Sequence, residues 1–444
     1  MKASNATTGT QPTAVLNDHD VRERIEALRP TDNCSNWLYL ARAYAIITTA
    51  VTFAIWFHQW RTAQGLSVGW EGPVFLLAVI MIGASQHQLA GATHEATHHL
   101  LFRHLLLNEL VSDWLCMFPL FSSTYIFRQH HLAHHQFIND PERDPDFSQL
   151  RQSGHDLDFP VSPAGFAWML LRQLTLYPLV KYILVRARYN SLGGVANHPY
   201  AEKERSFSVW PIRFAIGYLV VLFGGMIWAT RFAASTWLAV LPAAGFLGIA
   251  GVLLAVPRDR YPVSRLRPLF SARAVLISRV AHATLLGAAI AWTQRLTGAP
   301  AWIYFFLLWI VPLFTSFSFF MILRQLIQHG NGDRGRLTNT RVFHVNPLLR
   351  YAVFPFGMDY HLPHHLHANV PHYRLHQLHA LLLQSAEYRE KGTVVDGYFL
   401  PRDPRRPTVV EVLGPAHAKR GAEVFIDESV LEEPRAGAQE SRQA

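Results

Sequence analysis

The sequence predicts an all-α integral membrane protein, with about six transmembrane helices, interfacial helices and a cytoplasmic cap rich in histidine. Three observations carry that prediction. Half of the 444 residues are hydrophobic and only 16% are charged, with a mean hydropathy of +0.10, which is too apolar for an ordinary soluble globule. The apolar residues gather in stretches long enough to cross a bilayer. Fifteen of the 24 histidines crowd into two windows, eight within 94–135 and seven within 361–379.

The elements follow in chain order. Residues 1–36 are polar and carry no run resembling a signal-peptide core with a cleavage site, so they read as a cytoplasmic tail. The membrane domain spans 37–385, with apolar stretches at Leu38–Phe57, Pro73–Ser85 (continuing to Gly91), Phe214–Ala229, Trp237–Val256, Ala274–Trp292 and Ala301–Leu323. A span needs about 20 mostly apolar residues, and these reach it with their flanks. The fifth contains Arg279 and His282, which are costly inside a bilayer. Two further stretches, Leu105–Phe121 and Ala164–Val185, are broken by Asn108, Glu109 and Asp113, and by Arg172, Gln173 and Lys181, the pattern of helices lying in the interface. From about Glu387 the chain turns polar and rich in Pro and Arg, so residues 386–444 read as a poorly ordered tail.

Charge gives orientation. The net charge is +9, from 40 Lys and Arg against 31 Asp and Glu, which in so apolar a chain points to loops beside anionic lipid and away from nucleic acid. The connection Pro257–Arg273 holds Arg258, Arg260, Arg265, Arg267 and Arg273 against one acid, so it is assigned to the cytoplasm. Counting six spans from there puts both termini and every histidine cluster on the same face. Two cysteines, Cys34 and Cys116, cannot form a disulfide framework.

Three clusters define the candidate chemistry. His94-Glu-Ala-Thr-His98-His99 reads HxxxHH; on a helix His94 and His98 share a face, while His99 points about 100° further round and serves a second metal or none. His131-Leu-Ala-His134-His135, preceded by His130, and His361-Leu-Pro-His364-His365 both read HxxHH, with Pro363 placing a helix start near the third. His329 stands just past the last span. Imidazole suits Fe, Zn, Cu and Ni, and one pair alone would not choose among them. Nine clustered histidines, ten with His329, are too many for one ion and enough for two. His58, His87, His104, His155, His198, His282 and His344, with His367, His372, His376 and His379, fall off the template and read as packing or surface residues.

The order HxxxHH, HxxHH, HxxHH resembles the membrane fatty acid desaturase family. The surroundings are similar too: Leu107-Asn108, Tyr125-Ile-Phe-Arg128, the acidic run Asn139-Asp-Pro-Glu-Arg-Asp-Pro-Asp146, and Val370-Pro-His-Tyr373 through Leu378-His379, which is like acyl-lipid desaturases. The likeness runs from about 37 to 385 and implies two iron ions held by His94, His98, His99, His131, His134, His135, His361, His364 and His365, with His329 as a further ligand. Gln325 could join through a water, and Glu95, Asp140, Asp144 and Asp146 are candidates to hold ligands in place.

By the same resemblance, O2 is co-substrate, the substrate is a membrane lipid or acyl chain, and the product carries a new double bond. Electrons come from a separate ferredoxin or cytochrome with its reductase, because the HPGG signature of a fused haem domain is missing; His198-Pro-Tyr is the nearest approach. Absence of cysteine from the clusters argues against thiolate-bound haem or an iron–sulfur cluster. Two alternatives stand beside this. A hydroxylase of the same fold begins with the same hydrogen abstraction. A metal transporter would place its transit sites near the bilayer midplane, whereas these clusters lie at span ends.

Overall fold

The computed structural model describes residues 19–191 and 208–417, apart from 267 and 402, together with residue 424. His198, residues 1–18 and most of the chain after 417 therefore lie outside the described residues. A short helix, α1 (His19–Glu26), precedes the long pair α2 (Ser35–Ala63) and α3 (Glu71–Thr97). Five shorter helices follow, α4 (Leu105–Val111), α5 (Thr124–Gln136), α6 (Pro145–Ser153), α7 (Pro163–Arg172) and α8 (Tyr177–Asn190). The second long set is α9 (Trp210–Phe232), α10 (Trp237–Ala255) and α11 (Ala272–Thr297), then a broken helix made of α12 (Ala301–Phe305), α13 (Val311–Phe314) and α14 (Ser316–His329). The last part holds β1 (Arg341–His344), α15 (Pro347–Val353), α16 (His361–Leu366), α17 (Leu375–Leu382), α18 (Ala386–Lys391), β2 (Thr393–Asp396) and α19 (Val409–Leu413).

Six helical stretches are long and apolar enough to cross a membrane: Ser35–Ala63, Val68–Thr97, Trp210–Phe232, Trp237–Ala255, Ala272–Thr297 and Ala301–His329. They coincide with the six read from the sequence, and neither interfacial stretch adds another. Leu105–Phe121 forms α4 and a widened π-helical turn over Ser112–Met117. Ala164–Val185 is cut at Leu176, which adopts a positive φ of 62° just before Pro178 opens α8. The ionisable groups inside the fifth span are accommodated. Arg279 donates Nη1 to the Ser191 carbonyl at 2.8 Å, and the His282 ring packs 5.6 Å from Trp114.

The length of α3 explains how the first cluster leaves the bilayer. Its 27 residues make a rod of about 40 Å, roughly 10 Å more than the hydrocarbon needs. The surplus carries His94 beyond the apolar layer, and every residue from Ile82 to Thr97 is buried. Two glycines permit the approach of its neighbours. A Cβ at Gly83 would lie 2.7 Å from the Phe317 nitrogen of α14, and one at Gly91 would lie 2.6 Å from Pro355. The α12–α14 span is interrupted by a π turn at Phe306–Ile310, just before Pro312, whose missing N–H cannot close the helical ladder.

Regular structure continues past residues 37 and 385 on both sides. α1 packs Val21 and Ile25 into a cluster with Leu375, Leu378 and Leu382, so residues 19–36 include a docked helix. Beyond Glu387 the chain stays structured to residue 417: β2 pairs in parallel with β1, from Arg341↔Thr393 to His344↔Asp396, and Val395, Val409, Val412 and Leu413 join the main core. These apolar islands are four or five residues long, too short to register against their Pro- and Arg-rich surroundings.

Candidate metal centre

The centre is assembled from the ends of helices. α3 presents His94 and His98 one turn apart at its C-terminal end. α5 begins where Ser123 caps its first turn and Asp113 Oδ1 accepts the Thr124 N–H at 2.8 Å, and it carries all of the second cluster. α16 starts at His361 itself, with Pro363 in the first turn, where the missing N–H costs nothing. α14 contributes His329 as its last residue.

Nine imidazoles converge in two sets. His94, His98, His131, His135 and His364 form one; His134, His329, His361 and His365 form the other; within each, the ligand nitrogens lie within 4.8 Å of one another. The HxxHH spacing produces this division. Residues i and i+4 of each cluster turn to one set while i+3 turns to the other, so α5 and α16 each serve both. The sets abut where the His135 and His365 rings stack at 4.2 Å.

The geometry fits metal ions. Nε2 atoms approach at 2.9 Å (His98 and His131), 3.1 Å (His135 and His364), 2.9 Å (His329 and His361) and 3.1 Å (His361 and His365). Two imidazoles bound at about 2.0–2.1 Å and at right angles to each other have nitrogens about 2.9 Å apart. His361 Nε2 meets two such neighbours, yet a ring nitrogen offers one in-plane site, so proton sharing cannot satisfy both and a common cation can. Burial, then the neighbouring imidazoles, hold His131, His135, His361 and His365 well below the usual imidazole range, which keeps their lone pairs available.

Carboxylates orient the set. Asp144, the N-cap of α6, accepts His134 Nδ1 at 3.0 Å and also the backbone N–H of Asn139 and Asp146. That bond leaves His134 Nε2 facing the second set. Burial lowers the His134 pKa, but Asp144 and Asp146 outweigh it and carry the group to about 9, so a cation binding there displaces the Nε2 proton. His329 Nδ1 faces the Asn339 carbonyl at 3.3 Å, fixing the same tautomer.

The sequence profile of the family described as fatty acid desaturase matches residues 69–254 and 247–396. The chain belongs to the fatty acid desaturase family. It is also 22% identical over 415 residues to dihydrorhizobitoxine desaturase from Bradyrhizobium elkanii, covering 90% of each chain.

Within this fatty acid desaturase family member, one expected ligand stands apart. His99 joins neither set; it has a positive φ of 58°, and its Nδ1 lies 3.7 Å from Glu109 Oε1. The cause is that α3 ends at Thr97, so His99 leaves the helical track that aims His94 and His98 inward. His130 is bonded instead to Asp146 at 2.6 Å. Glu95 accepts the His372 N–H at 2.9 Å, and Asp140 binds Arg143 and Arg334, so neither carboxylate holds a clustered imidazole by a hydrogen bond. Gln325 lies outside both sets, with its Oε1 accepting the Tyr182 hydroxyl at 2.6 Å. Four other histidines have hydrogen-bond partners outside the sets: His87 on the Ala352 carbonyl, His155 between Ser153 and Gln173, His372 on Asn36, and His379 on the Tyr388 hydroxyl.

Several residues escaped sequence reasoning. Arg128 bonds Glu109 and also donates to the Ala96 and Thr97 carbonyls at 2.7 and 3.2 Å, which ties the end of α3 to α5. Arg186, Arg324, Gln328 and Met358 line a small cavity of about 20 Å³ against His94, His131, His134, His329 and His361. Arg324 stands one residue past the apolar stretch Ala301–Leu323, so no charge within a span drew notice to it. Beyond Arg186 an apolar pocket of about 350 Å³ opens among α3, α8, α9, α11 and α13, lined by Ala90, Phe118, Leu184, Ala283, Leu313 and Phe317.

Proposed function

We propose that the chain is an O2-dependent desaturase, which introduces a double bond into an acyl chain at two iron ions seated in the two imidazole sets. The observation that carries this reading is the division of nine imidazoles, seven buried and two (His98 and His329) half-buried, into abutting sets of five and four beside an apolar pocket. The ten-ligand set read from the sequence becomes nine, without His99. The relative's name supports the reaction type. Iron bound there would supply oxygen activation strong enough to take hydrogen from an unactivated C–H bond. The balanced reaction joins a –CH2–CH2– unit, O2, two electrons and two protons to give –CH=CH– and two waters.

The chain's own residues prepare that chemistry. Asp144 and the Asn339 carbonyl fix the tautomers of His134 and His329, and Arg128 holds the α3 imidazoles against those of α5. Phe118, Leu313 and Phe317 would exclude water from the chain that enters between the helices. Both hydrogens must be held against the site for the second to leave before oxygen is returned to carbon, and angstrom-scale misplacement changes that outcome. Electrons would come from a separate carrier, a ferredoxin or cytochrome with its reductase. The clusters, both termini and residues 141–205 would face the cytoplasm, on the strength of the arginines in Pro257–Arg273.

The test is mass spectrometry of lipids from an expressing host fed a deuterated saturated acid, beside a host expressing His131→Ala. A species that has lost two hydrogen isotopes from adjacent carbons, absent in the variant, is the expected product. A main product that gains one oxygen would replace the desaturase reading with hydroxylation.

A further inference from the structure

Two guanidinium groups stand in the cavity that touches both imidazole sets, and the reaction as written uses neither. Arg186, on α8, is 7% exposed and lines both this cavity and the apolar pocket beyond it. Its Cζ lies 5.8 Å from the Phe127 ring centroid. Arg324, on α14, points its Nη1 at the Met358 sulfur (3.2 Å) and its Nη2 at the Met321 sulfur (3.8 Å), while its Nε is buried without a partner. Thioethers are weak acceptors. Among the described residues no carboxylate lies within 4.0 Å of either guanidinium.

Other buried arginines of this chain are supplied. Arg128 has Glu109, and Arg341 has the Ile327 and Gly330 carbonyls. The acid nearest to Arg324 in the cavity, Asp146, is already engaged by His130 at 2.6 Å and faces His134 at 4.0 Å. Arg186 and Arg324 share one cavity with His94, His131, His134, His329 and His361, so their charges add to a single positive field. Cations bound in both sets would add to that positive field. Asp146, shared with His130 and His134, is the one carboxylate lining this cavity against two guanidiniums, one buried and one partly so, and charge held away from water needs balance, so the cavity has room in its charge for an anion that arrives from outside.

Arginine's planar fork matches a carboxylate. The cavity volume, about 20 Å³, is room for one or two water-sized groups, which suits an acid head and not a bent chain. We propose that Arg186 and Arg324 form a carboxylate seat, and that the substrate is a free acid whose acid group docks there while its apolar part fills the pocket beyond Arg186. The carbons that lose hydrogen then lie near the acid end. This deepens the desaturase reading and rests on it.

The test is binding of decanoate and of methyl decanoate to the purified iron-loaded protein by titration calorimetry, below the concentrations at which they form micelles. Decanoate should bind about tenfold to a hundredfold more tightly than its ester, the range of a charge-assisted hydrogen bond. Arg324→Gln should bring the two affinities together by weakening decanoate alone, and Arg186→Gln should act in the same direction. Arg324→Lys, with unchanged iron content, should keep most of the preference and so exclude misfolding as the cause. Equal affinities in the unsubstituted protein, or a preference that survives both glutamine variants, would overturn the proposal. So would acetate or inorganic phosphate displacing decanoate as well as a second fatty acid does, because the seat would then hold a free ion and not read the substrate. The measurement needs no turnover. Acid preference without desaturation counts against the proposed reaction, and desaturation of esters without acid preference counts against the seat.

Discussion

Replacing Arg128 by methionine keeps the bulk of the side chain and removes its charge, and the consequences can be worked out from its contacts. Glu109, 5% exposed, would keep the Asn108 amide at 3.1 Å as its remaining close donor. Taking one partner from a buried ion pair costs about 3–5 kcal/mol. The Thr97 carbonyl also loses the Arg128 donor, and the Ala96 carbonyl loses it while keeping the Asn108 amide and the His99 N–H, at about 1 kcal/mol for each bond lost. The total, about 5 kcal/mol or more, is comparable with the whole stability of many domains. Because those carbonyls lie between His94 and His98, loosening them also spreads the first imidazole set, so iron content should fall in step. Most of the loss is the stranded carboxylate, and a second substitution isolates it: Arg128→Met with Glu109→Gln should recover at least about 2 kcal/mol of it in a double-mutant cycle. Unfolding in detergent followed by near-ultraviolet circular dichroism measures the four corners. An Arg128→Met protein within about 1 kcal/mol of the parent, or a double variant no more stable than the single one, would refute the brace.

Other outcomes follow from the same geometry. His134→Ala and His361→Ala should abolish activity and lower iron, whereas His99→Ala should keep both, as measured by metal analysis and turnover; equal losses would return His99 to the ligand set. Asp144→Asn should weaken metal binding about 10- to 100-fold while His134 stays in place, read by competition with a chelator. Gly83→Leu should destabilise the fold by forcing α3 from α14, and Gly72→Leu, where nothing lies within 4 Å of the added carbon, should be neutral in the same melt. In a Cys34→Ser background, cysteines at the exposed positions Gln152 and Glu390 should be labelled from one side of the membrane and one at Arg231 from the other.

The spans were legible because bilayer thickness imposes one length on all of them, and Arg279 left the fifth long and apolar enough to be read. The clusters were legible from their spacing, but their division was not: i+3 and i+4 both neighbour i on a helix, and only the structure parts His134 from His131 and His135, and His364 from His361 and His365. His99 was left open between a second metal and none, because its direction depends on where α3 stops and no residue in His94–His99 is a strong terminator. Arg128, Arg186 and Arg324 were missed for a different reason. Their roles lie in partners 19 or more residues away or in a cavity between helices, and neither periodicity nor composition records such partners.

The chain order of the ligands has a consequence for biogenesis. The first set takes members from α3, α5 and α16, and the second from α5, α14 and α16; His135 and His364, in contact at 3.1 Å, are 229 positions apart. Four apolar spans must be threaded into the bilayer between them. Neither imidazole set is complete until the third histidine cluster has left the ribosome, so a metal held by either set would be inserted late, after translocation. Until then the ribosome-bound chain holds half-built sites whose imidazoles have only each other and water.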